Sequence, residues 1–172
     1  SIRIEGSGEV VQYLKSMLVF AIVGALRDSL GDSLNYVNAK FLADEKGIET
    51  SFGELANSVY KSEIAVKIMT DEAISNVAGT VFDGSEERIV NIGGFKTDFK
   101  PKGKMIIFKN TDVPGVIKSV STILADENIN IADFRLGRGE EGDALAVILV
   151  DSEVQKSTLD KLAALQTCLM VR

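Results

Sequence analysis

From Lys104 to Val171 six patterned segments follow one another as strand, helix, strand, strand, helix, strand. Lys104 to Lys109 is a strand with an apolar centre. Pro114 to Glu127 places Val116, Ile117, Val120, Ile123 and Leu124 on one helical face and stops near Asn128. Ile131 to Leu136 is a strand, Gly137 to Gly142 a turn, and Ala144 to Val150 an unbroken apolar strand expected to be central and covered. Ser152 to Leu165 is predicted to be a helix, with Ser152 and Glu153 in capping positions, and Leu169 to Val171 closes the series. This order is the split β-α-β pattern of ferredoxin-like sheets.

The first corner of that frame, Phe108 to Val116, runs from an apolar strand through polar residues into a helix. Pro114 suits the first helical position, where a missing N–H costs nothing. Asp112 stands where a short acidic side chain caps free N–H groups. Such a corner also fits a zwitterion. A carboxylate suits the helix-start N–H groups around Gly115 and Val116, and an ammonium suits the Asp112 carboxylate and the Asn110 amide oxygen. Asn130, at the entry to the next strand, could add a contact. On residue types alone, a plain helix cap and a plain turn account for Asp112 and Asn130 equally well.

Composition removes most other chemistry. The chain has no histidine, so Ser-His triads, histidine bases and histidine-rich metal sites are excluded. Its single cysteine, Cys168, permits no internal disulfide, and no Cys or His cluster is present to hold zinc or iron, so no metal site is expected. A formal net charge of −6 argues against a nucleic-acid surface. The most apolar run, Met17 to Leu26, is about half the roughly 20 residues a membrane span needs, and no membrane partner is expected. The chain starts at Ser1 directly in a strand-like pattern, as a piece of a longer protein would.

Ser1 to Val10 is predicted to be a strand. Tyr13 to Asp28 is predicted to be a helix, apolar on several faces and so buried on more than one side, ended by Gly31. Asn35 to Lys46 is expected to be a second helix with Val37, Phe41 and Leu42 inward and Gly47 as its stop. Gly53 to Ser58 is expected to be a loop or short helix. Strands follow at Glu63 to Met69, Asn76 to Phe82 and Arg88 to Ile92, punctuated by Asp83-Gly84 and Gly93-Gly94. Helices followed by strands at hairpin spacing imply an antiparallel sheet with helices on one face. Asp98 to Gly103 is the expected boundary, giving domains at 1–100 and 104–172.

Gly137-Arg138-Gly139-Glu140-Glu141-Gly142 spells G-x-G-x-x-G, but a strand follows where a dinucleotide site needs a helix. It is expected to be a hairpin loop, with Glu140 and Glu141 as solvated charges and no catalytic residue among them.

Asn110-x-Asp112-x-Pro114-Gly115-Val116, followed by Asn130-Ile131 and set in the β-α-β-β-α-β order, resembles the ACT domain, a small amino-acid-sensing module. The resemblance implies an effector at a subunit interface, held by Asn110, Asp112, Val113, Pro114, Gly115, Val116, Asn130 and Ile131. The position of Asn110 is often His or Tyr in that family. Upstream, Leu34 to Ile48 resembles the Val-Asn-Ala-Pro…Ala-x-x-Arg-Gly-Ile signature of type 1 D-3-phosphoglycerate dehydrogenases, with Lys40 and Lys46 replacing the usual proline and arginine. Ala78 to Phe82 with Arg88 to Gly94 is similar to the same region, the allosteric substrate-binding (ASB) domain.

The implied whole is α+β: a mixed α/β ASB domain with an antiparallel sheet, then a ferredoxin-like ACT domain. The resemblance implies the regulatory part of a cytoplasmic, NAD-dependent oxidoreductase of serine biosynthesis. It implies L-serine or another amino acid as effector and homo-oligomers formed through the ACT and ASB domains. It implies an anion held by Arg88, Lys96 and Lys100, and NAD only in parent domains absent from this chain. The same two modules occur in iron–sulfur L-serine dehydratases, and an oligomerisation module with a vestigial site is the third reading.

Overall fold

The computed structural model describes residues 1–172 and divides into two compact units, Ser1–Gly93 and Gly94–Arg172. In the first unit the strands are β1 (Ile2–Ser7), β2 (Thr50–Glu54), β3 (Glu63–Met69), β4 (Ile74–Phe82) and β5 (Glu86–Ile92), lying in the order β2-β1-β3-β4-β5. The hairpins β3–β4 and β4–β5 are antiparallel, and so is β1 with β3, as the turn signals require. β2 instead runs parallel to β1, Ile2 opposite Thr50 through Gly6 opposite Glu54. The connection from β1 back to its parallel neighbour contains the helices α1 (Leu14–Leu30) and α2 (Ala39–Glu45). Gly53, expected to open a loop or short helix, is therefore a strand residue.

Period-2 alternation in β1 puts Ile2 and Ile4 under α1, and Arg3 and Glu5 on the other face. Leu14, Leu18, Ile22 and Val23 of α1 close over them with Leu34, Ala39 and Ala43. The rest of α1 differs from expectation: Phe20 is 61% exposed and Gly24 is open, so the helix is buried on one side only. Together with its flanking 3-10 segments, 8–33 is long and apolar enough to cross a membrane, although the central ten-residue run is short. Here its apolar stripe lies on a sheet. Strand β1 also ends sooner than predicted, because Gly8 to Tyr13 turns into a 3-10 segment.

α2 is shorter than expected, and its register is different. Asn35 Oδ1 accepts hydrogen bonds from Val37 N and Asn38 N, while Asn38 Oδ1 accepts one from Asn35 N. This reciprocal turn delays the helix to Ala39. The small Ala39 and Ala43 then face the core, and Val37 and Phe41 point outward, at 94% and 67% exposure. Side-chain size decides the contact, since only alanines allow α2 so close to α1.

The second unit has the predicted frame. β7 (Lys104–Thr111), β8 (Ile131–Arg138), β9 (Asp143–Val150) and β10 (Cys168–Val171) form a sheet in the order β10-β7-β9-β8, antiparallel at every pair. Helices α3 (Val116–Asp126) and α4 (Lys156–Ala163) cover one face. Ile106, Phe108, Val120, Leu124, Ile148 and Leu162 are essentially inaccessible there. At about 1.5–3 kcal/mol for each fully buried large side chain, this cluster is the main stabilising term of the unit. β9 is buried on both faces, as its unbroken apolar run implies.

Before β7, β6 (Phe95–Phe99) occupies part of the stretch expected to be linker. Its apolar residues are buried, Phe95 to 6% and Phe99 to 2% exposure. β6 passes so close to β8 that a Cβ on Gly137 would lie 2.4 Å from the Lys96 carbonyl oxygen. Gly137 and Arg138 are strand residues, leaving 139–142 as the turn. α4 begins at Lys156 after Gln155, so Ser152 and Glu153 precede it and cap nothing.

Candidate functional site

On the helical face of the second unit, the C-terminal ends of β7 and β8 open beside the start of α3. The antiparallel order explains the meeting: Thr111 pairs with Asp143 on β9, and Arg138 on β8 pairs with Ala144 next to it. The resulting cleft has a volume of about 390 Å³. Phe108, Ala146 and Leu136 form its apolar floor, Gly115 to Lys118 with Val120 one wall, and Asn110, Asp112 and Arg138 its polar edge.

The Phe108–Val116 corner is built differently from its expected form. α3 starts at Val116, with Gly115 at the N-cap in a left-handed conformation, φ 95°. No side chain caps this helix start. Pro114 precedes the helix and Asp112 does not cap it. The Asp112 N–H donates to the Gly142 carbonyl at 2.8 Å, fixing the corner to the β8–β9 turn. Its carboxylate Oδ2 lies 3.1 Å from Arg138 Nε, an ion pair at the cleft edge. Gly115 to Lys118, at the uncapped start of α3, thus line the same opening as a carboxylate and a guanidinium.

Asn110 is the buried polar residue of the cleft, at 3% exposure. Alternation along β7 places it on the same face as Ile106 and Phe108. Its Nδ2 donates to the Thr111 carbonyl at 2.7 Å, which assigns the amide orientation, because a flipped amide would set two oxygens against each other. Its Oδ1 has no hydrogen-bond partner. A buried carbonyl oxygen without a donor costs about 1–3 kcal/mol, so this acceptor is a demand for an N–H group. Lys109, on the opposite face, pairs instead with Asp143 at 2.8 Å and stacks over the Phe95 ring.

Of the eight effector residues expected from sequence, Asn110 and Asp112 to Val116 come together here. Asn130 and Ile131 do not. They lie at the other end of β8 from Arg138, roughly 20 Å away at strand rise. The Asn130 amide donates to Asp151 Oδ2 at 2.6 Å, and Ile131 packs on the core. Arg88 sits on β5 in the first unit beside Glu86, at 3.5 Å, whereas Lys96 and Lys100 belong to the second unit. Sequence reading missed Arg138. The strand order contained the signal, since a β-α-β-β-α-β sheet sets the end of its second strand near the first corner.

The G-x-G-x-x-G stretch closes a β-hairpin and opens no helix. Neither sheet has the parallel, doubly wound form of a dinucleotide-binding fold.

Comparison with known proteins gives the two units separate matches. Residues 1–93 match the family described as "D-3-phosphoglycerate dehydrogenase intervening domain", and residues 104–166 match the ACT domain. The chain is 33% identical to D-3-phosphoglycerate dehydrogenase of Bacillus subtilis over 166 residues, 94% of this chain and 31% of that protein. It is 31% identical to the Archaeoglobus fulgidus enzyme over 95% of this chain and 32% of that protein. It is 28% identical to the Synechocystis enzyme over 90% of this chain and 29% of that protein. The chain therefore spans about a third of the length of these curated relatives.

Proposed function

The chain belongs to the D-3-phosphoglycerate dehydrogenase intervening-domain family, here followed by an ACT domain, and from that premise we propose that it is an L-serine sensor. It corresponds to the C-terminal regulatory region of such dehydrogenases. In this reading the parent is a cytoplasmic enzyme that oxidises 3-phosphoglycerate with NAD, the first step of serine synthesis. The catalytic chemistry and the NAD belong to other domains. Serine would then report the supply of the pathway's own product.

One observation carries the reading. An unpaired, buried Asn110 oxygen and the Asp112 carboxylate stand beside an uncapped helix start in one cleft. An ammonium satisfies the first pair, and a carboxylate satisfies the helix-start N–H groups. Asn130 can reach this cleft only from a second copy of the chain, so we assign it to the partner's side of the ligand. Exposed Val113, Ile117 and Leu136 at the cleft mouth supply apolar surface for that copy. A ligand held by two copies biases their arrangement by the difference between its affinities for the alternatives. The domain division at 1–100 and 104–172 follows the same proposal. So does an anion-holding role for Arg88, Lys96 and Lys100.

Calorimetric titration of L-serine tests the reading. The wild-type chain is expected to bind, and Asp112→Ala to lose about 1.5–3 kcal/mol of affinity with the fold retained. Retention is the stronger expectation because Asp112 is no helix cap. Absence of binding by the wild-type chain to L-serine or any other amino acid would overturn the reading.

A further inference from the structure

We propose that Arg138 is a second anchor for the ligand's carboxylate, so that the cleft takes free α-amino acids and discriminates against amines and amino-acid amides. This rests on the amino-acid-sensor reading and extends it to a residue outside the corner.

The argument begins with what Arg138 already does. Its Nε lies 3.1 Å from Asp112 Oδ2, an ion pair without an aligned N–H···O hydrogen bond. The side chain is 74% exposed where it lines the cleft. A guanidinium is a planar fork of five donors, so pairing at its Nε edge leaves further donors for a ligand. Holding a long side chain in place normally cancels much of the gain from an exposed ion pair. Here the Asp112 ion pair keeps the guanidinium at the cleft edge.

Asn110 supplies the independent observation. Asn110 lines the same cleft, and its side chain is more than nine-tenths buried with Oδ1 unpaired, so the residue marks where the donor end of a ligand goes. With the ammonium between Asn110 Oδ1 and Asp112, the rest of an α-amino acid lies toward the helix start and Arg138. The Asp112–Arg138 pair is then a fixed dipole, and the zwitterion lies against it with opposite sense. Removing the ligand's negative charge leaves a cation facing an uncharged group.

The test compares two ligands on two proteins: L-serine and L-serinamide, on the wild-type chain and on Arg138→Gln. The wild-type chain is expected to prefer L-serine. Arg138→Gln is expected to shrink that preference by about tenfold, the low end for a charged hydrogen bond at an exposed position. Arg138→Lys should restore part of it. The position is exposed, so thermal unfolding of the variants should match wild type. A preference for L-serine that survives intact in Arg138→Gln overturns the Arg138 assignment alone. Failure of the wild-type chain to bind L-serine overturns the sensor reading and this inference together.

Discussion

Glu5 and Asn110 are both polar side chains buried on a sheet, at 9% and 3% exposure, and the fold treats them in opposite ways. Glu5, on the face of β1 away from α1, is surrounded by cations. Lys67 Nζ on β3 lies 2.6 Å from one carboxylate oxygen and Arg3 Nε 2.9 Å from the other. The two hold its carboxyl below the usual 4.5, Lys67 most strongly, against a burial effect that pulls the other way. Asn110 keeps one satisfied donor and one orphaned acceptor. A buried carboxylate whose two oxygens each face a cation is part of the architecture, even though Oε2 meets Lys67 as an ion pair and not as an aligned hydrogen bond. A buried polar group left half-satisfied in a cleft is kept for something the chain does not itself provide.

The comparison breaks if the two residues respond alike to removal of their polarity. Glu5→Gln keeps shape and removes charge, leaving Lys67 and Arg3 against each other across the register of β1 and β3. Stability of the first unit should fall by about 1–2 kcal/mol, moderated by partial exposure of both cations. All three tyrosines, Tyr13, Tyr36 and Tyr60, lie in that unit, so their fluorescence follows its urea unfolding separately from the second unit. Serine affinity should not change. A loss of affinity would show that Glu5 and the cleft are coupled.

Asn110→Leu should do the reverse. The swap removes an orphaned acceptor and one local hydrogen bond, and adds apolar contact with the Phe108 cluster. Stability should change by less than about 0.5 kcal/mol. Affinity for L-serine should fall about tenfold, or roughly 1.4 kcal/mol, because the ammonium loses one acceptor. If Asn110→Leu is strongly destabilised and binds normally, the orphaned oxygen is not the ligand's partner.

The same contrast governs what was legible in the sequence. Residues whose partners are close in sequence or set by periodicity were readable: α1, α3, the β3–β4–β5 meander and the apolar β9. β2 was not, because Thr50-Ser51-Phe52-Gly53-Glu54 is an edge strand without apolar alternation, and only its parallel partner β1 makes it a strand. β6 was hidden by the charged, proline-containing stretch after it, although Phe95, Thr97 and Phe99 alternate correctly. Phe41 pointed the wrong way because hydrophobicity was weighed above size at a close helix contact. At the site, local reading left Asp112 open between a helix cap and a ligand contact. Its true partner Arg138 is brought near only by the β7–β9–β8 register, a tertiary fact with a topological signature.

The smallest expected effect concerns pH and sharpens the Glu5 side. A carboxyl whose folded value lies below its unfolded value adds stability above the unfolded value. That contribution fades as pH falls past about 4.5 and is gone once pH drops through the lowered folded value. Between wild type and Glu5→Gln, the gap in urea midpoint should therefore be full at pH 6–7 and narrow on acidification, by about 1 kcal/mol or less. Tyrosine fluorescence again isolates the first unit. Other carboxylates titrate over the same range, so the difference between the two proteins carries the information. A gap that persists to pH 3 would mean that Glu5 is held by shape and hydrogen bonding independent of its charge. The distinction from Asn110 would then rest on partner count alone.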